Sequence, residues 1–237
     1  MTGFFQKFKK WNEYLFEFLL IFVALWLSFL VDNIREENSE KKTAKILAQS
    51  LLEDLRKDKL ELENAIIFNS KKLTSSDNLI KLMHTPRKTW DEKSFYENIT
   101  VIFTTFPYAP TDGTFQQMKS TGSLSYFNQN LINEMNLNEN QIKKTIYRQS
   151  IEEKAIWELF PYASNFINFE VNSQIRFNKP ITSEMYIKIN DKNTTDVFIN
   201  KVVTVKTMCY RAFETYKIQL KVTNQLISEL NQSYKLM

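Results

Sequence analysis

The chain has one histidine (His84), one cysteine (Cys209), three glycines and five prolines in 237 residues. A lone thiol closes no intramolecular disulfide, and one thiol with one imidazole cannot furnish a Cys/His zinc site. A nucleophile–His–acid relay with a histidine to spare is nearly excluded on the same count. No G-x-G-x-x-G and no G-K-[ST] occurs, so the Gly-rich phosphate-cradling turns are missing. Charge of either sign is not in excess, with 31 Lys+Arg against 27 Asp+Glu. The lysines are interleaved with acids and leave no basic stripe, which argues against nucleic acid as a partner. No internal repeat or low-complexity segment stands out.

What the chain does have is one long apolar run, Trp11–Val31, WNEYLFEFLLIFVALWLSFLV. Phe18–Val31 carries no charge but as a helix spans only about 21 Å. Starting at Trp11 gives about 31 Å, enough for the hydrocarbon core. A secretory signal is the competing reading. The acidic Glu17 and the following DNIREENSEKK, which offers no small-x-small cleavage site, favour an uncleaved anchor. Lys7, Lys9 and Lys10 before the span, against Arg35, Lys41 and Lys42 diluted by acids after it, place residues 1–10 in the cytoplasm. That leaves residues 32–237 as a periplasmic domain on a bacterial inner membrane, a setting that the lack of disulfides permits. The abundance of Lys, Asn and Ile suits an AT-rich bacterial genome.

Lys9, Glu13 and Glu17 follow at four-residue intervals and share a helix face. Glu17, Ala24, Ser28 and Asp32 extend that face, and Ala24-x-x-x-Ser28 is a small-x-x-x-small pair that lets two helices approach closely. Packing of this face against another helix is the favoured role for Glu17. Snorkelling to the headgroups and a proton or ion path are the alternatives.

Beyond the span the pattern predicts an all-α fold, with the membrane helix continuing into an elongated antiparallel bundle. A helix over about 33–85 carries the stripe Ala44, Ala48, Leu51, Leu55, Leu62 and Ile66, interrupted by Asp58 and Asn69. His84 in its last turn faces the helix dipole. Residues 91–122 predict a short helical corner, with Thr114 to Gln117 as a capping box and Gly122 in a left-handed cap. A second long helix covers about 130–177, kinked or restarted at Pro161, with Leu131, Met135, Ile142, Ile146 and Leu159 on its buried face. A third covers about 195–233, capped by Thr194 or Thr195, with Val202, Val205, Cys209, Ala212, Tyr216, Thr223, Leu226 and Leu230 inward. Cys209 then reads as a small buried hydrophobe. EMYIKIN at 184–190 is the one short strand candidate. The sequons at Asn98, Asn193 and Asn231 are expected by chance in so Asn-rich a chain.

The segments EFLLIFVALWLSFLVDN with REE, then LLEDLRKD, then TFQQMKSTGSL, resemble a family of single-span proteins from Bacteroidota. That family pairs a Glu-containing membrane helix with an α-helical domain bearing T-[YF]-x-x-[LM]-x-x-x-G. The matching positions are Glu17, Asn33, Glu36, Glu37, Leu52, Leu55, Asp58, Thr114, Phe115, Met118 and Gly122, all within the first 125 residues. The chain departs at Val23-Ala24-Leu25, where such helices commonly carry a glycine. The resemblance implies topology and brings no activity, cofactor or metal.

With no catalytic constellation, the expected function is a non-enzymatic membrane-anchored interaction protein. Its partners would be the bilayer and either copies of itself or another integral membrane protein, joined through Glu17, Ala24, Ser28 and Asp32. The alternative is a ligand-sensing module signalling through a partner. Its pocket would draw on Tyr108, Trp157, Phe160, Tyr162 and Phe166, although the cluster around Pro161 reads first as a hydrophobic core. An ion-conducting oligomer rests on Glu17 alone.

Overall fold

Between Phe4 and Thr85 no glycine or proline interrupts the chain, and the backbone answers with one helix, α1 (Thr2–Met83). At 1.5 Å per residue it is about 120 Å long. The computed structural model describes residues 2–236, with side chains from Leu15 to Leu236. The readings on Lys7, Lys9, Lys10 and Glu13 therefore fall outside the described side chains. α1 stops three residues before Pro86, since the residue preceding proline disfavours helical geometry. His84 sits just past the last turn, its N–H still donating to the Ile80 carbonyl.

Five further helices follow: α2 (Glu92–Phe103), α3 (Gly113–Ser120), α4 (Gln129–Ala163), α5 (Phe169–Arg176) and α6 (Lys192–Tyr234). The fold is all-α, an elongated antiparallel bundle. Among the described residues the only β pairing is an isolated bridge between Ile167 and Ile187, so the 184–190 segment forms no strand. α6 runs antiparallel to α1. Leu226 and Leu230 join Ala44, Ala48, Leu51 and Leu55 at one end. Phe198 and Val202 join Leu79 and Met83 at the other. α4 lies parallel to α1, contributing Leu131 and Met135 near and Ile156 and Leu159 far. A small middle cluster holds Leu62, Ala65, Tyr108, Ala212 and Tyr216.

Four expectations are corrected. The second long helix does not reach 177. It ends at Ala163, two residues after Pro161, and α5 restarts at Phe169 under an Asn168 side chain that accepts from Glu170 N. Proline lacks the N–H that would continue the ladder, and the turn after it unwinds. Thr114 forms no capping box: Asp112 precedes the first residue of α3, and the Thr114 hydroxyl leaves its own helix to donate to Asp54 at 2.6 Å. The cap of α6 is Asp191, accepting from Thr194 N at 2.8 Å, and not Thr194 or Thr195. Ile146 lies half-exposed at 43% and is not core. Gly122 does adopt the left-handed conformation, at φ 74°.

Candidate functional site

Two regions of the molecule are not explained by core packing. The first is the N-terminal part of α1. From Leu15 to Ile34 its large apolar side chains are exposed, with Leu30 alone half-buried. Among the described residues it is the one helix long and apolar enough to cross a membrane, and none of its apolar window is buried. Glu17, Ala24, Ser28 and Asp32 lie on one face of it by spacing, and all four are exposed. The Ser28 hydroxyl donates to the Ala24 carbonyl at 3.0 Å, which folds it against its own backbone and keeps the profile of that face low. From Asp32 to Thr43 the helix is charged, mostly exposed, and carries the Glu37–Lys41 pair. Ala44 is the first buried residue among the described side chains, so about 18 Å of helix separates the apolar run from the bundle.

The second region is inside the bundle, where polar residues occupy stripe positions. Asp58, only 1% exposed, accepts from Thr111 N at 2.6 Å. One turn earlier on α1, Asp54 accepts both Thr114 N (3.2 Å) and Thr114 Oγ1 (2.6 Å). Two carboxylates of LLEDLRKD thus fasten the loop and the start of α3. Gln149 of α4 accepts from Tyr108 N (3.0 Å) and from the Tyr216 hydroxyl (3.1 Å), pinning the same loop from the other side. Asn138 of α4 accepts from Gln219 (2.8 Å) and Thr223 (3.2 Å) of α6. Farther along, Lys72 and Glu152 form a buried ion pair at 2.5 Å, beside which the Cys209 thiol donates to Asn69 Oδ1 at 3.1 Å.

Around Asp58 the packing leaves a cavity of about 130 Å³. Its walls are mainly apolar, with Leu51, Leu55, Phe115, Met135, Ile142 and Leu226. Asp58 and Asn138 are its buried polar groups, and Glu139 and Lys143 also border it. Burial pushes the Asp58 carboxyl up to about 6, against the pull of the Thr111 hydrogen bond. Burial likewise raises the Tyr108 hydroxyl, and the neighbouring Asp58 adds to it.

The aromatics expected in a pocket divide between two places. Tyr108 is buried edge-on against Tyr216, ring centroids 6.3 Å apart, in the middle cluster. Phe160 meets Phe103 edge-on (5.1 Å) and Phe169 at a tilt (4.4 Å), while Tyr162 and Phe166 close on each other (5.1 Å) and on Phe198. Trp157 touches Phe160 but is 67% exposed. These rings interlock α2, α4, α5 and α6 as packing, and neither the Asp58 cavity nor the wider groove between α1 and α2 is lined by any of the five named residues.

Asn138, Gln149 and Gln219 were not singled out from the sequence. The available signal was register: Asn138 lies between Met135 and Ile142, and Gln219 between Tyr216 and Thr223, each at 3–4 spacing. Among the described residues, no three His, Cys, Asp or Glu side chains converge as a metal site. Comparison of the chain with protein-family models, with curated proteins and with solved structures found no match.

Proposed function

We propose that this is a non-enzymatic, single-span membrane-anchored interaction protein, acting as a homo-oligomer or as an accessory subunit of a membrane complex. The observation that carries the reading is α1 itself. Its apolar stretch is bare on every side, yet the same unbroken helix becomes a central strut of a well-packed bundle. About thirty ångströms of exposed apolar helix is stable only in lipid or against other helices. Glu17, Ala24, Ser28 and Asp32 form the face offered to a partner, where small side chains permit close approach and the carboxylates gain shelter. The positive flank at Lys7, Lys9 and Lys10 supports a cytoplasmic N-terminus, with the bundle on the periplasmic side of an inner membrane.

The test is purification through a C-terminal tag in mild detergent, followed by mass spectrometry of the intact complex. Several copies of this chain alone would make it a homo-oligomer, and a stoichiometric second protein would make it an accessory subunit. The paired change Ala24→Leu with Ser28→Leu should shift either assembly toward free monomer. A wild-type chain that is already monomeric, or a complex unchanged in size by the pair, overturns the reading. A ligand-sensing module signalling through a partner is the second reading, supported by the cavity at Asp58 and not by the aromatics around Pro161.

A further inference from the structure

The outer side of α1 stays bare after the bundle has formed. Ile46 and Leu60 are each 58% exposed and Ile67 is 69% exposed. One exposed apolar side chain says little on a protein surface, but these three are spaced by 14 and 7 residues and share a helix face. At 3.6 residues per turn that face lies about 170° from the buried stripe of Ala44, Leu51, Leu55 and Leu62. Glu17, Ala24 and Ser28 fall on the same outward side, so one face runs from the apolar segment up the unbroken helix. Leu60 and Ile67 stand about 44 and 54 Å beyond Val31 along the axis. That is too far for a bilayer to cover them, and among the described residues no other element does.

The charges on this face say what would cover it. Steps of seven back from Ile67 pass Leu60, Glu53, Ile46 and Ser39 to reach Asp32. Both acids of that series are followed three residues later by an arginine, Arg35 and Arg56, which stand 21 residues apart. All four side chains are exposed, and none has an ion-pair partner among the described residues, although α1 pairs Glu37 with Lys41, Asp54 with Lys57 and Glu63 with Lys59. When two parallel helices pack in register, each position of such a series meets itself, and the position three residues on forms the next layer. Asp32 and Glu53 are then flanked by Arg35 and Arg56 of the other helix, so each acid gains an opposite charge across the seam. The pattern is complementary to itself about a two-fold axis along the helix. An antiparallel pairing is closed to chains inserted in the same direction. The straight helix drifts by about 20° per heptad from this repeat, which a left-handed wind of the pair absorbs.

We propose that α1 pairs with α1 of a second copy of this chain, the two helices parallel and in register along the face that carries Ile46, Leu60 and Ile67. The inference rests on the membrane-anchored reading above and deepens it by naming the partner. The apolar layers supply contact, and the charged layers fix the register at some cost in stability. Confinement to one bilayer raises the effective concentration of the two copies, so a modest seam is enough to hold them.

The experiment uses the full chain in lipid bilayers, with one cysteine added at a time and mild oxidation. Leu60→Cys and Ile67→Cys, both at exposed positions, should each give a disulfide-linked dimer, while Lys154→Cys on the exposed side of α4 should not. The second measurement is self-association in the same bilayers, by energy transfer between labelled chains. Arg56→Glu should weaken it by about tenfold, the loss of one charge contact at the seam, and adding Glu53→Arg should bring it back to within about twofold. Linking at Leu60 and Ile67 no faster than at Lys154 overturns the proposal, and so does a charge swap that fails to restore association. A complex of one copy with a stoichiometric second protein also overturns it, while leaving the membrane-anchored reading in place. A dimer that responds to Ala24→Leu with Ser28→Leu but does not link at Leu60 or Ile67 removes the seam alone. A chain that is monomeric in lipid overturns both.

Discussion

Asp58 is an acid at a position where the stripe on α1 calls for leucine. Burial lifts its pKa from an unfolded value near 4 to about 6. Between those values the folded chain holds more protons than the unfolded one, so stability is greatest on the acid side and falls as pH rises through about 6. The full shift corresponds to a penalty on the order of 3 kcal/mol at neutral pH. Asp58→Asn keeps an oxygen for Thr111 N and removes the charge. Urea denaturation at a series of pH values should show this variant more stable at pH 7.5, with the downward slope between pH 4 and 6 flattened. The ion pair of Lys72 with Glu152 behaves in the opposite way. Both side chains are buried and each satisfies the other, so Lys72→Met alone leaves a stranded carboxylate and should cost about 3–5 kcal/mol. Adding Glu152→Leu should recover most of that loss in the same denaturation assay. Cys209 beside them has its thiol pushed up to about 12, first by burial and then by the field of Glu152, and stays protonated and unreactive.

Among the elements, α3 is the one least able to stand alone. Eight residues fall short of the length at which a helix persists in water. The Thr114 N–H in its first turn and its positive end are met by Asp54, which belongs to α1 and lies 60 positions away in the chain. Asp54→Ala should therefore cost about 1–2 kcal/mol and release the segment locally. Amide exchange at 111–118 should accelerate while α4 and α6 stay protected. The same contact explains where a reading of the sequence stopped. Threonine followed three residues later by glutamine satisfies a local capping rule, but the Thr114 hydroxyl is taken by a stronger, charged acceptor that only tertiary folding brings near. Asp191 was passed over for Thr194 in a similar way: both are capping residues, and the carboxylate one turn earlier wins. Pro161 signalled a kink or restart but not the end of α4; the five-residue gap before α5 was set by Asn168, a cap with no periodic signal around it.

Across the whole molecule, the long stripes were legible because a 3–4 repeat needs no knowledge of the partner. Every stripe residue named on α6 is buried, and so are Ala44, Ala48, Leu51, Leu55 and Leu62 on α1. The all-α class and the antiparallel return of α6 follow from that repeat, and the bare apolar segment from the unbroken run Trp11–Val31. The cavity did not, because it exists only where α1, α3, α4, α6 and the 110–112 loop fail to meet, and no single segment encodes a failure to meet. Its one trace in the sequence was Asp58, noted as an interruption of the stripe and left without a role. The aromatics around Pro161 make the complementary point: aromatic residues announce volume, and rings that fit one another leave none.

α1 has a mechanical consequence as well. Between Val31 and Met83 it has no glycine, no proline and no break, so the angle at which the apolar segment sits is transmitted undiminished to the outer end. That arm measures about 78 Å, and a change of about 10° in tilt would carry its tip sideways by about 14 Å. Helices that span a bilayer tilt in response to differences of only a few ångströms in its thickness. With the apolar segment in a bilayer, as proposed, the bundle would act as the pointer on such a gauge, moving farther than the membrane that deflects it.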